Sequence, residues 1–237
     1  MAIAFEITSS IAMFRRPYTT TSSVSFPFPP PTTVAGLLSG IIGLNNDSHQ
    51  EAHNAKYWEQ IEGTKIAVSV LNPISWFIGS LNFWNLKEPQ KAPHIRVKHQ
   101  FVKNPKYRLY VHGGVEEELK THLEKETFIY TPTLGTAYAI ADINYLGEFP
   151  ITSVKGETAV INSVLPLLNN EDIKINVLAS KKIFRDVLPF KLTGERQLLE
   201  SINVLYSSPE EKLHLLSWEG LDVTNYKGES IAWFPAW

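Results

Sequence analysis

The sequence predicts an α+β fold. Three observations carry that reading. Apolar residues alternate with polar ones in short runs, beginning with "AIAFEITS" at residues 2–9. Stretches of helical period stand between those runs. Hydrophobic residues make up 43% of the 237, and charged residues 19%, which suits a packed core rather than a disordered chain.

Taken in order, residues 2–9 put Ile3, Phe5 and Ile7 on one face of a first strand. A polar run then leads to "FPFPPP". Pro27, Pro29, Pro30 and Pro31 cannot donate ladder hydrogen bonds and hold the backbone before them extended. An architectural bend is favoured over a proline-rich ligand tract. Thr32 or Thr33 suits an N-cap, and "TVAGLLSGIIG" reads as a short buried helix. Gly36, Gly40 and Gly43 cost helix propensity, so another backbone or a ligand is expected to come close there.

Residues 48–62, "SHQEAHNAKYWEQIE", read as an amphipathic helix. "KIAVSVLNPISWFIGSL" is β-branched and aromatic and reads as strand, broken at Asn72-Pro73. "APHIRVKHQFVKNPKYRLYV" reads as two strands joined near Asn104-Pro105, a basic hairpin over about residues 93–111. "GGVEEELKTHLEKETF" is a helix with Val115, Leu119 and Leu123 on one face, and "AYAIADINYLGEF" is a strand.

The order strand, helix, strand, strand, helix, strand is the ferredoxin-like plan also used by RNA-recognition domains. Residues 1–149 therefore read as a modified ferredoxin-like, RNA-recognition-type domain with an inserted basic β-hairpin. Residues 150–237 read as a mixed, β-rich C-terminal extension. It includes Ile173–Ala179, Lys182–Phe190, Arg196–Leu205 and the Trp-rich end "WFPAW". No repeat of fixed period occurs.

Net charge is −2, which argues against a general nucleic-acid coat. From Lys87 to Arg108, however, seven Lys/Arg face one acid, Glu88. From Glu116 to Glu126 five acids face two lysines. A basic stripe on a near-neutral protein suggests one dedicated polyanion groove. The absence of cysteine excludes disulfides, thiol catalysis and thiolate metal sites and makes a reducing cytoplasm the expected compartment. Residues 1–13 lack the basic n-region of a secretory signal. The longest apolar run, 34–44, is too short for a bilayer, so no membrane partner is expected.

His49 and His53 flank Glu51, but the H-E-x-x-H order is not met and no metal is expected. Ser39 in "GLLSG" is not a nucleophile elbow. No P-loop and no G-x-G-x-x-G occurs, so nucleotide hydrolysis, dinucleotide redox chemistry and cofactors are not expected. Arg15 and Arg16 follow the first strand and precede a helix N-terminus, a placement suited to phosphate. Lys98-His99 admits two readings. One is contact with phosphate or base. The other is metal-independent RNA cleavage, with one residue moving the 2′-OH proton and the other stabilising the phosphorane. Neighbours in a strand point to opposite faces, so a dyad needs a bend or bulge, and binding is favoured.

The opening "FRRPYTTTSSVSFPFPPPTTVAGLLSGIIGL" resembles the signature opening of the CRISPR-associated "Cas five" subunits of the RAMP superfamily. "RVKHQFVKNPKYRLYV", "YTPTLGTAYAIADINYLGEF" and "VLPFKLTGER" fit the same pattern in the same order, so the resemblance covers most of residues 1–205. It is nearest to the type I-B branch. The resemblance implies a modified RNA-recognition fold with a thumb hairpin that caps the 5′ handle of the crRNA in a Cascade surveillance complex for antiviral defence. Its implied partners are crRNA, the backbone subunit, the large subunit and, indirectly, target DNA. Carried onto this chain, it implies RNA contact by Arg15, Arg16 and Tyr18 in the first loop. Thr32, Thr33 and Gly36 at the helix opening follow, then Arg96, Lys98, His99, Lys103 and Arg108 on the thumb. In the type I-B branch a separate nuclease processes the RNA, which implies a non-catalytic role. The type I-C branch instead cuts repeat RNA with Tyr, Lys and His. Lys98 and His99 partly echo that set, with Tyr57 or Tyr107 as a third member. Tyr18, Phe101, Tyr107 and Tyr110 offer aromatic planes near the cations.

Overall fold

A computed structural model describes residues 1–19, 22–46, 54–91, 93–168 and 173–237. The chain is mixed α+β and mostly sheet. In order it forms β1 (Ala2–Thr8), β2 (Ile11–Ala12), β3 (Phe14–Arg15), β4 (Ser25–Phe26), α1 (Pro31–Ile42), α2 (Tyr57–Gln60) and β5 (Lys65–Val70). Next come β6 (Trp76–Trp84), β7 (His94–Lys103), β8 (Lys106–His112), α3 (Glu116–Glu124) and β9 (Asp142–Phe149). The rest is strand: β10 (Ala159–Ile161), β11 (Leu165–Leu167), β12 (Ile173–Ile175), β13 (Phe184–Leu192), β14 (Leu198–Tyr206), β15 (Leu213–Trp218), β16 (Val223–Tyr226) and β17 (Glu229–Ala232).

An antiparallel sheet in the order β5-β8-β1-β9 forms the centre. Alternation along β1 gives it two different faces. Ile3, Phe5 and Ile7 point into the main core with Val34, Leu38 and Ile41 of α1 and Leu119 and Leu123 of α3. The opposite face carries Ala2, Ala4, Ala67 and Tyr110, and Tyr226 of β16, Ile231 of β17 and Trp233 just after it close over it. Lone RNA-recognition domains stack bases on that kind of open face. Here it is buried. Residues 150–237 also enter the main core through Leu188, Phe190, Val204 and Phe234.

The prolines act as scaffold. Residues 27–31 are buried, the Pro27 carbonyl accepts from the Tyr107 hydroxyl at 2.8 Å, and Phe28 meets Tyr206 edge to face at 5.0 Å. Helix α1 is not capped by Thr32 or Thr33. Pro30 is the N-cap and Pro31 the first helical residue, so the fixed proline φ starts the helix where no N–H donor is needed. The helix ends at Gly43, whose φ of 81° is left-handed and whose missing Cβ leaves room for Ile129.

Two other expectations are corrected. The helix expected over 48–62 is observed only as Tyr57–Gln60, and residues 48–53, with His49, Glu51 and His53, lie outside the described residues. The basic hairpin is not 93–111. Strand β7 pairs with β6, whereas β8 leaves it at Asn104-Pro105 and enters the central sheet between β1 and β5. The reason is burial: Tyr107, Leu109 and Val111 belong to the core face of that sheet. Only the β7 half of the expected thumb lies outside the central sheet, and its partner β6 is the strand that follows the break at Asn72-Pro73.

Candidate nucleic-acid interface

Strands β6 and β7 form an arm in unbroken register from Trp76↔Val102 to Trp84↔His94, and β2 adds to the β7 edge at its inner end through Ile11↔Lys103 and Ala12↔Val102. Nine residues of strand reach about 30 Å. Opposed residues share a face, so the register sorts the arm into two surfaces. One carries Trp84 with His94, Asn82 with Arg96, Ser80 with Lys98, and Ile78 with Gln100. The other carries Phe77 with Phe101, Gly79 with His99, and Phe83 with Ile95.

The second surface is a stack of rings. Phe77 lies 5.0 Å from Phe101, Phe101 is 6.0 Å from His99, and His99 is 5.6 Å from Phe83. The absence of a side chain at Gly79 keeps this stack continuous, since a Cβ there would sit 3.2 Å from Phe101. His99 is 7% exposed and its Nδ1 lies 3.1 Å from the Val97 carbonyl. Lys98 is exposed on the other surface. With no bulge between them, the two side chains point apart, and the structure does not assemble the Lys98–His99 dyad.

The basic stripe divides by strand. Lys106 and Arg108 sit on β8, where they bind Glu6 at 2.8 and 2.7 Å, and Arg108 adds Glu229 at 3.0 Å. Burial would lower the Arg108 pKa, but hydrogen bonding to Glu6 and Tyr110 raises it above the ordinary value. Arg108 is therefore a sheet tie and not a cation of the arm. Lys91 pairs with Glu88 on the surface at 3.1 Å. Lys87, Arg96, Lys98 and Lys103 are exposed, and among the described residues no carboxylate pairs with them.

Ser23, which follows the first strands, pairs with β7 near its middle, opposite His99. The backbone of Ser23 donates to the Lys98 carbonyl at 2.9 Å and accepts from the Gln100 N–H at 2.8 Å. Arg15 is exposed and donates to the Thr19 carbonyl at 3.0 Å. Arg16 is engaged. Its guanidinium holds both carboxylate oxygens of Asp186, donates to the Tyr18 hydroxyl at 2.8 Å and lies 4.3 Å over Phe26. The Asp186 hydrogen bonds raise its pKa further. Tyr18 is 69% exposed, whereas Phe101, Tyr107 and Tyr110 are buried and offer no plane to a base. Burial pushes the Tyr107 hydroxyl far above its ordinary pKa and Tyr110 to about 12. Thr32 and Thr33 are half-buried in the first turn of α1, and Gly36 is exposed on its outer side.

The model of the family described as "CRISPR-associated protein (Cas_Cas5)" matches residues 2–162. The chain belongs to the Cas5 family. Two solved structures share the fold of this Cas5 chain. A chain of a "CRISPR RNA-guided surveillance complex" superposes with a TM-score of 0.56 at 12% identity, over 88% of this chain and 90% of that one. A CRISPR protein from Archaeoglobus fulgidus superposes with a TM-score of 0.57 at 14% identity, over 98% and 99%. Among curated protein sequences none matches this Cas5 chain. Among its described residues no helix is long and apolar enough to cross a membrane.

Sequence reasoning did not find the partners of the two tied arginines. Asp186 carries no local signal, being 170 residues from Arg16. Glu6 does carry one. It is the lone acid on the strand face that otherwise bears Ala2 and Ala4, and a charge on a covered face needs a cation opposite.

Proposed function

We propose that this Cas5-family chain is a non-catalytic crRNA-binding subunit of a CRISPR effector complex, of the type I-B-like Cascade kind, and that it caps the 5′ handle. The observation that carries the reading is the β6–β7 arm. It presents Arg96 and Lys98 without carboxylate partners beside exposed Trp84, while Lys106 and Arg108 are neutralised within the body. Cations set among aromatic planes are what single-stranded RNA requires. The arm is the thumb in this reading. Arg15 on β3 and Tyr18 after it belong to the segment whose Ser23 is bonded to β7 at Lys98 and Gln100.

A modified ferredoxin-like domain over residues 1–149 is supported by the sheet order. Counting only the strands that flank α1 and α3, it runs second, third, first, fourth. Burial of the sheet face under β16 and β17 favours contact through the arm and loop. Ile78, Phe83, Leu86 and Ile95 leave much apolar surface exposed on the arm, and we assign it to the neighbouring backbone and large subunits. Target DNA is met indirectly, through the complex.

Co-expression with the neighbouring CRISPR subunits and repeat RNA tests this. The chain should co-purify with the crRNA, and Arg96→Ala with Lys98→Ala should strip the handle contact. Incubation of the purified chain with repeat RNA in EDTA should leave the RNA intact. Specific cleavage that His99→Ala abolishes would replace the binding reading with the nuclease one.

A further inference from the structure

A groove of about 560 Å³ runs along α1. That volume is in the range of small-ligand sites. Thr33, Gly36 and Gly40 of α1 form its floor, and Tyr57, Tyr130 and Arg196 stand on its walls. The floor is bare because a Cβ at Gly36 would have only the Tyr57 hydroxyl within reach, at 3.9 Å, and one at Gly40 only Tyr130, at 4.0 Å. Both tyrosines thus border the glycines.

Arg196 comes from the C-terminal extension. Its turn is fixed by bonds from Arg196 N–H to the Thr193 carbonyl at 2.9 Å and from Thr193 N–H to the Gln197 carbonyl at 2.8 Å. The Ala55 N–H donates to the Gly194 carbonyl at 2.6 Å, which ties this turn to the segment before Tyr57. The guanidinium is exposed and, among the described residues, has no carboxylate partner. Asp186 claims Arg16 and Glu6 claims Arg108, whereas Arg196, like Arg15 and Arg96, has no carboxylate partner among the described residues. An unpaired guanidinium suits phosphate, and tyrosine rings suit a flat base.

We propose that this groove holds one unstacked nucleotide of a bound single-stranded RNA, with Arg196 on its phosphate and Tyr57 and Tyr130 beside its base. The proposal rests on the RNA-binding reading above. It adds a contact that comes from the C-terminal extension rather than from the first loop or the arm.

Fluorescence anisotropy of the full chain with a labelled single-stranded RNA 12-mer tests it across a salt series. Arg196→Ala should weaken binding severalfold and lower the salt slope by about one. Tyr130→Ala should weaken it by fivefold or more, as loss of a stacked base does. Gly36→Leu should fill the groove and weaken binding while keeping the melting temperature, because the position is exposed and helical. If Arg196→Ala and Gly36→Leu bind as the wild type does while Arg96→Ala is weakened, the groove inference fails and the RNA reading stands. If the wild type itself does not bind the RNA, both fail.

Discussion

Arg16 and Asp186 form a two-pronged ion pair across 170 residues of chain. Their side chains are 17% and 13% exposed, so the contact is well shielded from water. It fastens the first loop to β13, and Arg15 beside it does no such work. The two neighbouring arginines should therefore separate in experiment. Arg16→Ala should cost about 2–3 kcal/mol, because it leaves Asp186 without its cation. Arg15→Ala should leave the melting curve in place and lower the salt slope of RNA binding by about one. Urea denaturation of both variants and of Asp186→Ala checks this. A double-mutant cycle that shows no Arg16–Asp186 coupling contradicts it.

The arm should behave as a surface rather than a scaffold on its charged side. Arg96→Ala and Lys98→Ala should each reduce RNA affinity and salt slope without shifting the melting temperature. Val97 and His99 lie between and beyond them on the ring-stacked side. His99→Ala should loosen the arm, at a cost of about 1 kcal/mol from lost ring contacts, visible as faster amide exchange over β6 and β7.

Glu6 gives the protein a predictable acid limit. Burial alone would raise its carboxyl pKa, but hydrogen bonds from Lys106 and Arg108 hold it below the ordinary value. The folded value is thus lower than the unfolded one, near 4.3. The stabilisation is complete above that unfolded value and is lost as pH falls through the folded one. Glu6→Gln should be about 2 kcal/mol less stable at pH 7 and should show a shallower acid dependence than the wild type. Urea midpoints measured from pH 7 down to pH 3 give the comparison. Parallel pH profiles would refute the assignment.

Gly135 is another glycine whose position admits no side chain. Its φ is 86°, and a Cβ there would lie 2.1 Å from the Met13 carbonyl oxygen. The loop after α3 is thereby pressed against Met13, between β2 and β3, with Met13 N–H donating to the Leu134 carbonyl at 3.1 Å. Gly135→Ala should destabilise by at least about 2 kcal/mol and should weaken RNA binding only through unfolding. Calorimetry read beside binding at low temperature separates the two effects.

The central sheet was legible because its strands alternate and its helices keep a 3.6-residue period. Ile3, Phe5 and Ile7 point where the pattern puts them. The pairing of β7 was not legible. "KYRLYV" is as basic and β-prone as "IRVKHQFVK", and only the main core's need for Tyr107, Leu109 and Val111 assigns it to the body. Charge alone therefore overstated the arm by Lys106 and Arg108. The prolines announced a bend, and their burial follows from the aromatic residues around them. The use of Arg16 was hidden because its partner is distant in sequence. A cation meant for a ligand and one meant for a carboxylate look alike until the chain is closed.

Ser23 has a mechanical meaning beyond its two hydrogen bonds. Its backbone is stitched to β7 opposite His99, and Arg16, seven residues earlier, is anchored to β13. Loop, arm and C-terminal extension thus share one set of fixed points. The strand that carries Arg96 and Lys98 and the segment that carries Arg15 and Arg16 are each tied to the body by bonds distant in sequence.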